Sequence, residues 1–66
     1  MSREKFYLKD IIEAGEAIER FLQNVTKDKF LTDELLQSAV LHKLTIIGEA
    51  ASRVSDDLKS RYPEIE

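Results

Sequence analysis

His42, Glu49 and Arg53 are the side chains of this 66-residue sequence that could do acid–base or phosphate chemistry from one surface. They stand seven and four positions apart, with Ile46 between the first two, so a helix puts all of them on one face. An imidazole that takes and gives a proton beside a guanidinium suits a site that moves protons near an anion. The same spacing arises readily on any helix of this length, where it describes a solvated histidine beside an ordinary Glu–Arg pair. Glu49 follows Ile47-Gly48 and precedes Ala50-Ala51, so a carboxylate stands in a stretch of apolar and small residues. A buried carboxylate is costly unless paired. Glu49 therefore either braces a catalytic group or a partner's backbone, or lies part-exposed against Arg53. Asp33 reads as a first-turn acid or a helix cap. Tyr7 and Tyr62 read as boundary residues with a packed ring and a wet hydroxyl.

Other chemistries find no residues to carry them. The chain has no cysteine, which excludes disulfides and thiolate metal sites, and its single histidine would need carboxylates to complete a zinc site. No metal and no cofactor are expected. There is no glycine-rich phosphate loop and no Ser/His/Asp arrangement. Net charge is −3, and affinity for phosphate comes mainly from clustered Lys and Arg, so the chain alone is a poor nucleic-acid binder. Apolar runs fall well short of the roughly 20 residues of a membrane span. The opening Met-Ser-Arg-Glu-Lys has no apolar signal core, so the expected location is the cytoplasm, with no membrane association.

The elements that position these residues are helices. From Phe6 to Val25, Leu8, Ile11, Gly15, Ile18, Leu22 and Val25 recur three and four apart, with Glu13, Glu16 and Glu19 on a solvated face. A glycine inside a helix costs about 1 kcal/mol against alanine, and Gly15 on the stripe suggests close approach of another helix backbone or a tolerated substitution. Asn24 to Asp28 break the pattern, and Thr26, Asp28 and Thr32 are each suitable caps. Phe30 and Leu31 are expected to fold back between the helices. Beyond Asp33, Leu36, Val40, Leu44, Ile47, Ala51 and Val54 form one stripe. Leu35, Ala39, Ile46 and Ala50 form a second, offset by about 100°. Ser55-Asp56-Asp57 resembles a cap with acidic first-turn residues, which either opens a short helix to about Arg61 or lets the second helix continue with a bend. The reading is an all-α antiparallel hairpin, about 4–25 and 29–54, with a short C-terminal helix, about 55–61, in a single unit spanning 1–66.

Two stripes wrap residues 33–54 too widely for one neighbouring helix. Single cores of this size contribute at most about 3–5 kcal/mol, and without a disulfide or metal the remaining staple is association. The expected interface and core residues are Leu8, Ile11, Gly15, Ile18, Leu22, Leu36, Val40, Leu44, Ile47, Ala51 and Val54. A homodimer or higher oligomer is expected.

Several strings resemble one family. Tyr7-Leu8-Lys9-Asp10-Ile11-Ile12-Glu13-Ala14, Phe30-Leu31-Thr32-Asp33-Glu34, Ile46-Ile47-Gly48-Glu49-Ala50-Ala51 and Arg61-Tyr62-Pro63-Glu64-Ile65 occur in the order and spacing of the HepT-like branch of the HEPN superfamily. The resemblance covers nearly the whole sequence. It implies a dimerising four-helix bundle of which these residues are half, and a metal-independent endoribonuclease toxin paired with a MntA-like nucleotidyltransferase antitoxin. The family's chemistry resides in an Arg-x4–6-His motif on a helix after the Tyr-Pro-Glu-Ile segment, and no Arg and His here stand in that relation. Glu49 and Asp33 match the family pattern as supporting polar residues. The expectation is a truncated family member with no catalytic residue of its own, acting on RNA only in a full-length form. The alternative is a non-catalytic interaction or inhibitor module that binds a HEPN or antitoxin partner.

Overall fold

Three helices make up the described part of the chain: α1 (Arg3–Leu22), α2 (Lys27–Thr32) and α3 (Glu34–Arg61). The computed structural model describes residues 3–62, so Pro63, Glu64 and Ile65 of the last quoted string lie outside the described residues. No strand occurs among the described residues, and none of their helices is long and apolar enough to cross a membrane. The fold is the expected all-α hairpin, with α1 packed along α3.

The turn is set by side-chain chemistry at three residues. α1 stops at Leu22, three residues before the expected end, because Asn24 takes a left-handed φ of 60° that a helix cannot continue through. Asparagine tolerates this conformation better than most residues. Of the three candidate caps for the next element, Thr26 serves: its hydroxyl accepts from the Lys29 amide at 3.1 Å. Thr32 instead donates its hydroxyl back to the Asp28 carbonyl at 3.1 Å.

Asp33 divides the helix expected at about 29–54 into α2 and α3. Its backbone is extended (φ −114°, ψ 95°), its amide donates to the Phe30 carbonyl at the end of α2, and its carboxylate accepts from the Leu36 amide at 3.0 Å at the start of α3. One residue thus closes one helix and opens the next. Gln37 braces this corner by donating its side-chain amide to the Phe30 carbonyl at 2.8 Å. Phe30 is half-buried there, whereas Leu31, expected between the helices, is 59% exposed. A six-residue helix cannot turn two adjacent side chains to the same interior.

Of the two readings at 55–61, the separate C-terminal helix is not formed and the second helix continues. α3 runs through Ser55-Asp56-Asp57 to Arg61. Capping residues end a helix only where the backbone has another partner, and with no glycine or proline at this point the helical ladder propagates. Glu34 in the first turn and Lys59 and Arg61 in the last complement the helix dipole.

The line of contact is a heptad-like seam on each helix. On α3 it is Leu36, Val40, Lys43, Ile47, Ala50, Val54 and Asp57, each buried or half-buried. On α1 it is Tyr7, Ile11, Ala14, Ile18 and Phe21, continued by Val25 in the turn, again each buried or half-buried. Among the described residues the buried apolar ones are Ala14, Ala17, Val40 and Ala50, and no large side chain is fully buried. Alanines at the seam allow close approach of the helices but supply little apolar area. The core is thin. The expected close approach at Gly15 is not made within the hairpin, since a Cβ there would meet nothing within 4 Å.

Because Asp33 holds both helix ends, Asp33→Ala is expected to lower stability by about 1 kcal/mol, in line with cap removals elsewhere. Chemical denaturation of the two proteins checks this, and equal midpoints would show that the corner is held by other contacts.

Candidate functional site

α1 and α3 run antiparallel, which fixes which residues can meet across the seam. Tyr7 and Asp10 near the start of α1 share a shallow groove with Ile46, Glu49, Ala50 and Arg53 of α3. One turn further along α1, Asp10, Glu13 and Ala17 line a second groove with Lys43 and Ile46. The two grooves are continuous at Asp10 and Ile46 and mark one broad side of the hairpin.

This polar side assembles several of the residues singled out from the sequence. Glu49 and Arg53 lie in the same groove, both exposed, and they form no ion pair. Tyr7 is half-buried beside them, so a phenol, a carboxylate and a guanidinium share one surface. His42 is exposed and lines neither of these grooves. Asp33 is at the corner, where its carboxylate caps α3 and sits 3.7 Å from the Lys29 ammonium. That ion pair is surface-exposed and contributes little. The role of Asp33 in the hairpin is thus capping, the simpler of its readings. Among the described residues no three His, Asp or Glu side chains converge to hold a metal ion.

A reactive site needs its groups held in place by hydrogen bonds and packing. Glu49 has no such support: among the described residues, no hydrogen bond or ion pair fixes its carboxylate. The groove carries Asp10 and Glu13 as well as Lys43 and Arg53, so it offers no concentrated positive potential for a phosphate backbone. Its residues come together only through the antiparallel register, which is why no spacing in the sequence marked Tyr7, Asp10 and Lys43 as neighbours.

The opposite side is apolar. Leu41, Leu44, Gly48, Ala51, Ser55 and Leu58 are all exposed, and their spacing of three and four repeats the α3 seam displaced by one residue. One residue is about 100° of helix rotation, so this second seam runs alongside the first and turns away from the grooves. Leu8 and Ile12, also exposed, lie on the corresponding side of α1. Of the residues expected in core or interface, Ile11, Gly15, Ile18, Leu22, Leu36, Ile47 and Val54 are half-buried, Val40 is buried, and Leu8, Leu44 and Ala51 are exposed on this apolar side.

A helical hairpin with a mixed-charge groove and an uncovered apolar side defines a helical packing module. The family model described as ribonuclease HepT-like matches residues 11–66, and the chain belongs to that family. The chain is 46% identical over 61 residues to "Probable ribonuclease HepT" of Thermococcus cleftensis, covering 92% of this chain and 56% of that protein. It is 38% identical to a Methanocaldococcus jannaschii protein named as a gamma-glutamylcyclotransferase and putative RNase, over 92% of this chain and 28% of that protein. A second protein of that organism, named as a putative RNase, is 37% identical over 89% of this chain and 49% of its own length. The chain therefore spans about half the length, or less, of these relatives. No solved structure matches it.

Replacing Glu49 by glutamine is expected to change folding stability by less than about 0.5 kcal/mol, as for other unsupported surface side chains. A thermal-melt comparison checks this, and a larger loss would reveal a partner for the carboxylate.

Proposed function

We propose that these residues are the scaffold hairpin of a HepT-like ribonuclease, supplying helix packing and self-association rather than the groups that cleave RNA. The observation that carries this reading is the family match over residues 11–66 in a sequence with no Arg-x4–6-His relation. Metal-free cleavage of RNA needs a proton-transfer group and stabilisation of the phosphorane charge. The groove holds neither in place: Glu49 and Arg53 line it as exposed side chains that form no ion pair with each other. The apolar side, by contrast, has the character of an interface, because contiguous exposed apolar surface on a small protein marks a binding face. In this reading the hairpin is half of a four-helix bundle, completed by association. A full-length form acts on RNA in a toxin–antitoxin pair with a nucleotidyltransferase-type antitoxin, in the cytoplasm.

A second reading is favoured by the acidic surface of α1, where Asp10, Glu13, Glu16 and Glu19 are all exposed. Such a face suits docking to a basic partner protein, and the chain would then act as a non-catalytic inhibitor or decoy. Incubating the purified chain with structured and single-stranded RNA distinguishes scaffold from enzyme. The expected result is no cleavage above a buffer control; cleavage that survives repurification and is lost in Glu49→Gln or Arg53→Ala would contradict the scaffold reading.

A further inference from the structure

We propose that Lys29 and Asp33 form a register lock on the hairpin. They select the observed packing of α1 on α3 over a second packing, three helical turns away, in which α2 and α3 are one continuous helix. The inference is independent of the ribonuclease reading and concerns what keeps Tyr7, Glu49 and Arg53 in one groove.

The backbone chemistry does not forbid the second packing. Residues 27–37 contain neither glycine nor proline, so α2 and α3 can run as one helix. The break at Asp33 is held by side chains. Its carboxylate accepts from the Leu36 amide at 3.0 Å, and Gln37 donates its side-chain amide to the Phe30 carbonyl at 2.8 Å. The backbone bond from the Asp33 amide to the Phe30 carbonyl is long, at 3.4 Å. With the helices fused, residues 23–26 join α1 to the long helix, an ordinary length for a connection between antiparallel helices.

The two registers are related by helix geometry. In the observed packing Ala17 shares a groove with Lys43, and Tyr7 shares one with Arg53. Fusion sets Leu22 level with Lys27, and so Ala17 level with Thr32, about eleven positions before Lys43. Eleven residues make close to three turns of about 3.6 residues each. After a slide of roughly 16 Å, α1 therefore meets the same face of the long helix.

That face is where the lock stands. The seam Leu36, Val40, Lys43, Ile47, Ala50 and Val54 alternates steps of four and three. Continued backwards through a fused helix, it reaches Asp33 and then Lys29. In the second packing these side chains lie against Ile18 and Phe21, half-buried seam residues of α1. A carboxylate and an ammonium pressed into an apolar seam lose hydration that their mutual attraction does not recover. At the corner they keep it. The Lys29 ammonium lies 3.7 Å from the Asp33 carboxylate there, with 64% of the Lys29 side chain and 30% of the Asp33 side chain exposed. The slide would also strip α1 from Ile47, Ala50 and Val54 and carry Tyr7 away from Glu49 and Arg53. The groove exists only in the locked register.

The sequence has no cysteine, so pairs of introduced thiols report the register. Asp10 and Glu49 line one groove, and Ser38, about eleven positions before Glu49, takes its place in the second packing. A short thiol cross-linker is expected to join Asp10→Cys/Glu49→Cys within one chain at least about tenfold faster than Asp10→Cys/Ser38→Cys, since a linker that cannot span its sites does not join them. With Lys29→Leu and Asp33→Leu added, the order is expected to reverse while circular dichroism keeps its helical signal. Asp33→Ala alone, which leaves Lys29 on the seam, is expected to keep the original order. An unchanged order in helical Lys29→Leu/Asp33→Leu protein, or loss of its helicity, would show that no second packing is available and overturn the proposal. Reversal in Asp33→Ala alone would assign the choice to the cap and overturn the role of the pair.

Discussion

The constraint on which the structure depends is the placement of two apolar seams on one helix. On α3, Val40, Lys43, Ile47, Ala50 and Val54 face α1, and Leu41, Leu44, Gly48, Ala51 and Ser55 repeat the same spacing one position on. A helix pair satisfies one seam. The second, turned by about 100°, stays in water unless another helix covers it. Every unusual property of the hairpin, including its thin core and its large surface, follows from this arrangement.

The covered seam is economical in side-chain volume. Ala14 and Ala50 are its most buried residues, with Ala17 buried beside them, and among the described residues only Val40 adds a larger buried side chain. Close approach over alanines gives good contact between backbones but removes little apolar area from water, and that area is the main source of stability. Hydrogen bonding at the corner compensates locally: Thr26 and Asp33 cap successive helices and Gln37 ties α3 to the end of α2. These contacts fix the direction of the turn. They do not substitute for a core.

Helix content and hairpin topology were legible in the sequence, because long stretches of three-and-four spacing admit only one regular structure. Helix phase was less so. The sequence stripe through Leu44 and Ala51 differs from the observed seam through Lys43 and Ala50 by a single residue, and both read as apolar because lysine hides a long aliphatic stem. In α1 likewise, Leu8 and Gly15 lay on the expected stripe while Tyr7 and Ala14 make the contact. Only the partner helix selects between such neighbours. The break at Asp33 was hidden because its residue type suits a start and gives no sign of ending the preceding turn. The continuation through Ser55-Asp56-Asp57 was hidden for the converse reason. The family, carried by strings spread across the chain, was legible; the groove joining Tyr7, Glu49 and Arg53 was not, since it depends on register.

The chain belongs to the ribonuclease HepT-like family and spans about half the length of its Thermococcus cleftensis relative, and its second apolar seam is a surface that only a further helix would cover. The most direct test of the two-seam account is a concentration series of thermal melts with sedimentation equilibrium on the same samples. The account predicts a melting temperature that climbs with protein concentration and a mass above 7.6 kDa, as mass action requires for a fold completed by association. A sharp melt at one temperature across the series, from a species of one chain, would contradict it.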